Sequence, residues 1–156
     1  MRTTNNTLSK LPAEILTCSP SETEQVGAAL ASLMIEQKLH PFVALFGDLG
    51  VGKTAFVRGF TSAIAPNARV KSPTFALVNE YKGEKLSVFH FDMYRIEDED
   101  ELYSIGFYDY LDRNGICLVE WSENIIESLP ENHIRVEITK DLSKGDDCRT
   151  ISISMI

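Results

Sequence analysis

Apolar side chains recur at helical spacing after the stretch Ser19-Pro20-Ser21-Glu22, at Val26, Ala29, Leu30, Leu33 and Met34. This period predicts a helix that buries one face. Ser19 is suited to be its N-cap, because a serine hydroxyl can accept a hydrogen bond from a first-turn N–H group. Pro20 fits the first helical position and Glu22 completes a capping box, so the helix is expected to begin here.

Two other segments are apolar without interruption, PFVALF at residues 41–46 and ICLV at residues 116–119. Such runs are typical of parallel strands that are covered on both faces. ALVNEY and LSVFHFDMY, which flank residues 82–85, predict a hairpin or a pair of neighbouring strands. Near the C-terminus, apolar and polar residues alternate on both sides of a polar turn at residues 143–147, which predicts an antiparallel edge hairpin with one exposed face.

The length of 156 residues and the hydrophobic content of 44% are sufficient for one sizeable core, so we expect a single domain over residues 1–156. Residues 1–18 lack a clean period and are expected to form a loosely ordered N-terminal arm or an edge segment. The formal charge of -8 and the pI near 4.9 argue against a protein that grips nucleic acid with its own basic surface. No independent nucleic-acid binding is therefore expected.

The chain has an odd number of cysteines, namely Cys18, Cys117 and Cys148. They lie far apart and lack the CxxC spacing of a metal or redox site. A reducing compartment is the simplest interpretation. No segment approaches the roughly 18 apolar residues of a membrane span, and the N-terminus lacks the apolar core of a signal peptide. We therefore expect a cytoplasmic protein that does not engage a membrane.

The octapeptide GDLGVGKT at residues 47–54 lies between a predicted buried strand and a predicted helix, AFVRGFTSAI. It matches the Walker A pattern GxxxxGK[ST], whose glycines let consecutive N–H groups turn toward an anion at the positive end of the helix. Lys53 can then reach the β and γ phosphates, and the Thr54 hydroxyl can bind Mg²⁺. The pattern predicts an α/β, P-loop NTPase-like three-layer sandwich, in which helices flank a mixed sheet with a parallel core and an antiparallel edge hairpin.

A P-loop enzyme also needs a carboxylate at the end of a neighbouring strand, where ligands bind in open α/β sheets. ICLVE places Glu120 at such a position. Asp92 in VFHFDMYR is a second candidate, with a salt bridge to Arg95 or a cap on the next helix as its alternative roles. The acidic run at residues 97–101 is expected to be the solvated first turn of a helix, where carboxylates suit the dipole.

Three other features leave more than one interpretation open. The SPTF stretch at residues 72–75 could sense a γ phosphate through a hydroxyl, as a switch segment does, or could be an ordinary proline turn. His90 fits a buried or supporting residue better than a catalyst. On the residues alone, Trp121 is interpreted as packing rather than as a nucleotide contact.

Two classes of P-loop protein are disfavoured. GTPases read guanine through NKxD, and that string is absent from the chain. A small-molecule kinase needs an arginine-bearing lid, but only Arg135 and Arg149 follow Trp121, and both lie within the alternating strands. An ATPase is the remaining class.

Taken together, the motifs resemble the TsaE (YjeE) family over roughly residues 19–140. The resemblance is carried, in this order, by SETEQVGAALA, GDLGVGKT, SPTFALVNEY, HFDMYR and ELYSIGFYDYLDRNGICLVEW. This family is the bacterial P-loop ATPase needed to make threonylcarbamoyladenosine beside the tRNA anticodon. The resemblance implies that the chain binds ATP or ADP with Mg²⁺, hydrolyses ATP weakly when alone, and works with the TsaB and TsaD proteins, through which it would meet tRNA indirectly.

The resemblance also implies roles for individual residues. Thr54 and Glu120 would approach the metal, Asp92 would support the metal or a water molecule, and Thr74 would belong to a switch-like loop. With Lys53, Asp92 and Glu120 as the predicted catalytic residues, the predicted nucleotide-binding set is Gly47, Asp48, Leu49, Gly50, Val51, Gly52, Lys53, Thr54, Ala55, Thr74 and Trp121.

The mechanistic hypothesis is in-line attack of water on the γ phosphate, with Asp92 or Glu120 orienting the water and Lys53 with Mg²⁺ neutralising the developing charge. No arginine in the chain is an obvious finger, so a partner that supplies one would accelerate hydrolysis. Two alternatives stay open. One is a nucleotide-dependent binding or switch module with incidental hydrolysis, and the other is a small-molecule P-loop kinase.

Overall fold

The structure is a computed structural model that describes residues 8–48, 50–71, 73 and 77–156. Its strands are β1 (Ala13–Thr17), β2 (Phe42–Phe46), β3 (Val78–Lys82), β4 (Ser87–Asp92), β5 (Gly115–Glu120), β6 (Ile134–Lys140) and β7 (Arg149–Met155). Its α-helices are α1 (Pro20–Gln37), α2 (Lys53–Ile64), α3 (Glu99–Ser104) and α4 (Phe107–Tyr110), and a 3₁₀ helix covers Ser122–Ser128. Within the described ranges, none of these helices is long and apolar enough to cross a membrane.

The strands form one seven-stranded mixed sheet in the order β1-β7-β6-β2-β5-β4-β3. Strands β6, β2, β5 and β4 are parallel neighbours, while β3 pairs antiparallel with β4 and β7 pairs antiparallel with β6. The parallel core and both predicted hairpins are therefore confirmed, but the prediction that the β6–β7 hairpin lies at the edge of the sheet is wrong. Strand β1 adds to β7 and becomes the outermost strand on that side, within the segment for which an arm or an edge segment was predicted.

Strand β2 is buried along its whole length and alternates between two hydrophobic clusters. Val43 and Leu45 join the cluster that contains the apolar faces of α1 and α2. Phe42, Ala44 and Phe46 join the cluster on the other face of the sheet, which also contains residues of α3, α4 and the 3₁₀ helix. This confirms the prediction of a strand covered on both faces and the three-layer arrangement.

The start of α1 follows the predicted capping pattern. The hydroxyl oxygen of Ser19 accepts a hydrogen bond from the N–H group of Glu22 at 3.1 Å. The Glu22 carboxylate in turn accepts from the N–H group of Cys18 at 2.8 Å, one residue before the N-cap. The first bond satisfies a donor that a helix start leaves open, and the second ties the residue before the N-cap to the first turn.

Helices α1 and α2 approach each other very closely at Gly59. A Cβ atom placed on Gly59 would lie 1.8 Å from the carbonyl oxygen of Glu24 in α1. Only a residue without a side chain fits such an approach. This contact sets the position of α2, whose first residue follows the glycine-rich loop.

Cys18 and Cys148 form a disulfide bond across a sequence separation of 130 residues. The expectation of reduced cysteines is therefore wrong for these two residues, because distance along the chain does not measure distance in the fold. Strands β1 and β7 pair antiparallel with Thr17 opposite Arg149, so Cys18 and Cys148 stand at the next position of the same ladder. Cys117 is a free cysteine and is buried in β5.

Candidate functional site

The glycine-rich loop runs from the end of β2 to the first residue of α2, with Leu49 outside the described residues. Its three glycines adopt positive φ angles of 148°, 80° and 105°, at Gly47, Gly50 and Gly52. At Gly47 there is also no room for a side chain, because an added Cβ atom would lie 2.6 Å from the carbonyl oxygen of Ile138. The loop therefore has the compact, left-handed geometry in which main-chain N–H groups can line an anion site.

Lys53 is the first residue of α2 and its side chain folds back over the loop. Its Nζ donates a hydrogen bond to the carbonyl oxygen of Gly47 at 2.5 Å and lies 3.7 Å from the centre of the Trp121 ring. Burial lowers the pKa of Lys53, while the nearby carboxylates, Glu123 first among them, raise it. The ammonium group is thus held by a carbonyl and an aromatic face at the mouth of the loop.

Asp92 and Glu120 are the last residues of β4 and β5, and they are register partners in that parallel pair. Both carboxylates act electrostatically on Lys53. Burial is the main cause that raises the pKa of Asp92, with Glu120 adding to the effect. The two acids that the sequence indicated are therefore brought together at the carboxyl edge of the sheet, beside the loop lysine.

The helix-cap alternative for Asp92 is wrong. Asp92 accepts a hydrogen bond from the N–H group of Tyr94 at 2.9 Å, so it closes the turn directly after β4. Asp98 is the N-cap of α3 and accepts from the N–H group of Glu101 at 3.0 Å. The acidic run does form the entry and first turn of a helix, as predicted.

His90 is fully buried and bonded to Glu120. Its Nε2 atom lies 2.5 Å from a carboxylate oxygen of Glu120, and its Nδ1 atom lies 3.5 Å from the hydroxyl of Tyr81. The same hydroxyl donates to the carbonyl oxygen of Lys71 at 3.0 Å. His90 is thus placed as a supporting residue for Glu120, in a chain of contacts that ends one residue before SPTF.

Trp121 adopts a left-handed conformation, with φ 59°, which is strained for a bulky side chain. Its ring packs against that of Tyr94 at an angle of 54°, with a 5.0 Å distance between ring centres, and it also contacts the Lys53 ammonium group. The amide of Asn124 donates to the carbonyl oxygens of Met93 and Tyr94, which ties the chain after β4 to the chain after β5. These contacts hold the indole ring beside the loop.

Two residues that were not predicted from the sequence contact the loop. A carboxylate oxygen of Glu123 accepts from the N–H group of Gly47 at 3.0 Å. The Nε atom of Arg149 donates to the carbonyl oxygen of Val51 at 2.9 Å. Glu123 follows Glu120 by three positions, but no local pattern indicates that the 3₁₀ helix turns it back toward the loop.

The remaining predicted site residues are placed as follows. Thr54 and Ala55 lie in the first turn of α2, Thr54 half-buried and Ala55 buried, and Asp48 is exposed on the loop. Leu49 and Thr74 lie outside the described residues. The phosphate, metal and switch roles assigned to these residues stay predictions.

The residues present fit a nucleotide phosphate chain and its metal. The loop already holds one anionic group, the Glu123 carboxylate, on the N–H group of Gly47, and it has a buried ammonium beside it. In the described part of the chain, no group of three or more histidine, cysteine or acidic residues could hold a metal by itself. Mg²⁺ in nucleotide sites is bound through one or two protein groups together with phosphate oxygens and water.

A buried strand, a glycine-rich loop and a helix that begins with lysine, set in a parallel sheet with acids on neighbouring strands, define a P-loop NTPase fold. A family model described as "Threonylcarbamoyl adenosine biosynthesis protein TsaE" matches residues 17–150. The chain belongs to the TsaE family.

Relatives and a solved structure agree with this assignment. The chain is 36% identical over 140 residues to the "tRNA threonylcarbamoyladenosine biosynthesis protein TsaE" of Bacillus subtilis (strain 168), covering 90% of this chain and 84% of that protein. It is 41% identical over 131 residues to the protein of the same description from Haemophilus influenzae, covering 81% and 79% of the two chains. The crystal structure of YdiB from Bacillus subtilis superposes with a TM-score of 0.67 at 31% identity, over 93% of this chain and 87% of that one.

Proposed function

We propose that this chain is a cytoplasmic ATP hydrolase that supports the formation of threonylcarbamoyladenosine in tRNA. The names of its relatives place them in that biosynthesis. The proposal includes the TsaB and TsaD proteins as partners that carry the tRNA, since the net charge of -8 does not suit a chain that binds RNA alone. The observation that carries the ATPase part is the position of Lys53 at the loop, facing two carboxylates on neighbouring strands.

The proposed chemistry assigns each of these side chains a task. Lys53 exchanges its bond to the Gly47 carbonyl for the β and γ phosphate oxygens. Thr54 and Glu120 would hold Mg²⁺, which when bound neutralises charge on the β and γ phosphates. Asp92, whose pKa is raised by burial, and Glu120 are the groups that can orient an attacking water molecule.

A cavity beside the loop has room for the nucleoside part of ATP. It measures about 560 Å³ and lies at the carboxyl end of β6, where Ile138, Thr139 and Lys140 border it together with Gly47 and Val51 of the loop. Ligand pockets of drug-sized molecules have volumes of about 300–1,000 Å³. We assign this cavity to the base and ribose, because Gly47, Asp48 and Val51 of the loop line it.

A second candidate function, a nucleotide-dependent switch, is favoured by one observation. Glu120, His90, Tyr81 and Lys71 form a continuous series of contacts from the site to the residue before SPTF. A change at Glu120 on nucleotide binding could therefore alter the segment that follows Lys71. In this case ATP would order a partner-binding surface, and its hydrolysis would be incidental.

Reconstitution of tRNA modification tests the proposed function. Purified TsaB, TsaD, substrate tRNA, ATP and the threonylcarbamoyl donor are combined with wild-type chain, with Lys53→Ala, or without the chain, and the modified nucleoside is measured by mass spectrometry. We expect modification with wild type and a loss of at least tenfold with Lys53→Ala. Lys82→Ala, an exposed lysine at the end of β3, is the matched control and should behave as wild type. Equal modification with and without the chain would contradict the proposal.

A further inference from the structure

Arg149 holds a main-chain carbonyl of the glycine-rich loop from a distant part of the chain. Its Nε atom donates to the carbonyl oxygen of Val51 at 2.9 Å, across a sequence separation of 98 residues. Its Nη1 atom donates to the carbonyl oxygens of Asp146 at 2.7 Å and of Cys148 at 3.0 Å. The guanidinium group is thus anchored on the turn before β7 and reaches the loop through Nε.

The strand that carries Arg149 lies inside the sheet. Arg149 is the first residue of β7, where it stands opposite Lys140 of β6 on one side and Thr17 of β1 on the other. At the other end of the bond, Val51 is buried. The bond therefore ties the loop to a strand whose position is set by two neighbouring strands.

The peptide group that Arg149 holds has a donor on its opposite side. The peptide bond between Val51 and Gly52 is trans, so its C=O and N–H groups point in opposite directions. Because the Val51 carbonyl is directed at Arg149, the N–H group of Gly52 points away from the guanidinium. Gly50 and Gly52 have φ angles of 80° and 105°, whereas Val51 between them has no positive φ angle. This alternation is typical of a nest, in which successive N–H groups converge on an anion.

We propose that Arg149 is a positioning residue for phosphate binding, which holds the Val51 carbonyl outward so that the N–H group of Gly52 faces the phosphates. This inference rests on the proposed function and adds a residue to the same site. Lys53 and Glu123 also bond to the loop, but both do so at its first residue, Gly47. Arg149 acts at the other end of the loop, next to α2. Because a carbonyl oxygen does not bind phosphate, the Arg149 bond is compatible with a bound nucleotide.

The expected effect on affinity follows from preorganisation. Without Arg149, the peptide group between Val51 and Gly52 can rotate and its carbonyl can bond to water instead. A nucleotide must then order this part of the loop as it binds, which lowers its affinity. Hydrogen bonds to charged groups such as phosphate are stronger than those between neutral groups, so one misdirected donor has a measurable effect.

Calorimetry and NMR spectroscopy of matched variants test this inference, with ADP and Mg²⁺ as the ligand. Arg149→Met removes the donors but keeps an unbranched apolar stem, and Arg149→Lys restores one donor. Arg58→Met is the control, because it removes the same charge from an exposed position on α2, where Arg58 pairs with Glu24 at 3.6 Å. The amide proton of Gly52 is followed in ¹H–¹⁵N spectra, since a hydrogen bond to a phosphate oxygen moves it to higher chemical shift.

We expect Arg149→Met to weaken ADP binding about tenfold and Arg149→Lys to bind within about threefold of wild type. Arg58→Met should change the affinity by less than about twofold, as is usual for an exposed ion pair. At saturating ADP, the shift change of the Gly52 amide proton should be at least halved in Arg149→Met. A structural role of Arg149 elsewhere would leave this shift change as it is in wild type.

Several results would overturn the inference and leave the proposed function intact: wild-type affinity in Arg149→Met, an equal loss in Arg58→Met, no recovery in Arg149→Lys, or a Gly52 shift change in Arg149→Met equal to that of wild type. Absence of ADP binding by the wild-type chain would instead overturn the proposed function. Circular dichroism establishes that each variant is folded. The wild-type spectra decide without any variant, because a Gly52 amide proton that does not respond to bound ADP also overturns the inference.

Discussion

The Nε2 atom of His90 lies 2.5 Å from a carboxylate oxygen of Glu120, and the histidine side chain is fully buried. Because His90 has no solvent contact, water does not compete for the hydrogen bond that it forms with Glu120. Partners of this kind fix the orientation of acids and ligands in active sites, and their removal typically costs about 10–100-fold in activity or metal affinity.

Replacement of His90 by alanine is expected to lower the rate of ATP hydrolysis at least tenfold and to weaken ADP binding much less. The reason is that Glu120 loses its buried hydrogen bond, whereas the loop and Lys53 keep their contacts. Hydrolysis is measured by phosphate release at saturating ATP, and ADP affinity by calorimetry. Tyr81→Phe is the comparison, because it keeps the ring beside His90 and the bond from His90 to Glu120, but removes the hydroxyl contacts with His90 at 3.5 Å and with Lys71 at 3.0 Å. Equal losses of rate and of ADP affinity would show that His90 supports the fold rather than Glu120.

Glu120→Gln separates the two candidate functions. The amide keeps the shape of the side chain but loses the charge that Mg²⁺ and an attacking water molecule require, so hydrolysis should fall by about 10² or more. If hydrolysis is obligatory, tRNA modification in the reconstituted system should fall in parallel. The measurements are phosphate release and modified nucleoside, made on the same preparations. Modification that persists while hydrolysis is lost would favour the switch.

Local patterns were sufficient to predict much of the fold and part of the site. The uninterrupted run at residues 41–46 and the octapeptide that follows it predicted β2, the loop and α2, because burial and glycine geometry act over a few residues. Asp92 and Glu120 were each predicted at the end of a strand, and they lie side by side because neighbouring parallel strands end at one edge of the sheet.

Contacts that depend on distant parts of the chain could not be predicted in this way. The bond from Gly47 to Glu123 spans 76 residues, and the disulfide bond spans 130. The first depends on the path of a 3₁₀ helix, and the second on the register of two strands that pair only after the sheet has formed. Ala13–Thr17 is short and half polar, so its own pattern was compatible with either an arm or an edge strand.

The number of reactive thiols per chain checks the disulfide bond and, with it, the register of β1 and β7. Burial raises the pKa of the Cys117 thiol to about 12, so the native chain should react slowly with Ellman's reagent at pH 8. In guanidinium chloride, one thiol per chain should react if Cys18 and Cys148 are paired, and three should react after prior reduction. Three reactive thiols in guanidinium chloride without reduction would contradict the pairing.

The same thiol makes stability depend on pH. Its folded pKa is above the ordinary value of 9.0, so its stabilising contribution is complete below pH 9 and is lost as the pH rises toward 12. At pH 10, the free energy of unfolding should have fallen by about 1 kcal/mol more in wild type than in Cys117→Ala. The check is urea denaturation of both proteins at pH 8 and pH 10. Identical pH dependence in the two proteins would exclude Cys117 as its source.

Gly59→Ala is expected to destabilise the protein and to weaken nucleotide binding together. Alanine normally favours a helix over glycine by about 1 kcal/mol, but here its Cβ atom would lie 1.8 Å from the carbonyl oxygen of Glu24. Overpacking of this kind costs about 1–3 kcal/mol, and it must be relieved by moving α2 away from α1. Because α2 begins with Lys53, that movement also displaces the loop lysine.

The measurements for Gly59→Ala are the thermal midpoint and the affinity for ADP with Mg²⁺. Ser32→Ala, at an exposed position of α1, is the control and should leave stability unchanged or slightly raised. A stable Gly59→Ala variant with normal ADP affinity would mean that the spacing of α1 and α2 does not set the position of the loop. A loss of stability with normal affinity would separate the two effects and assign the close contact to folding alone.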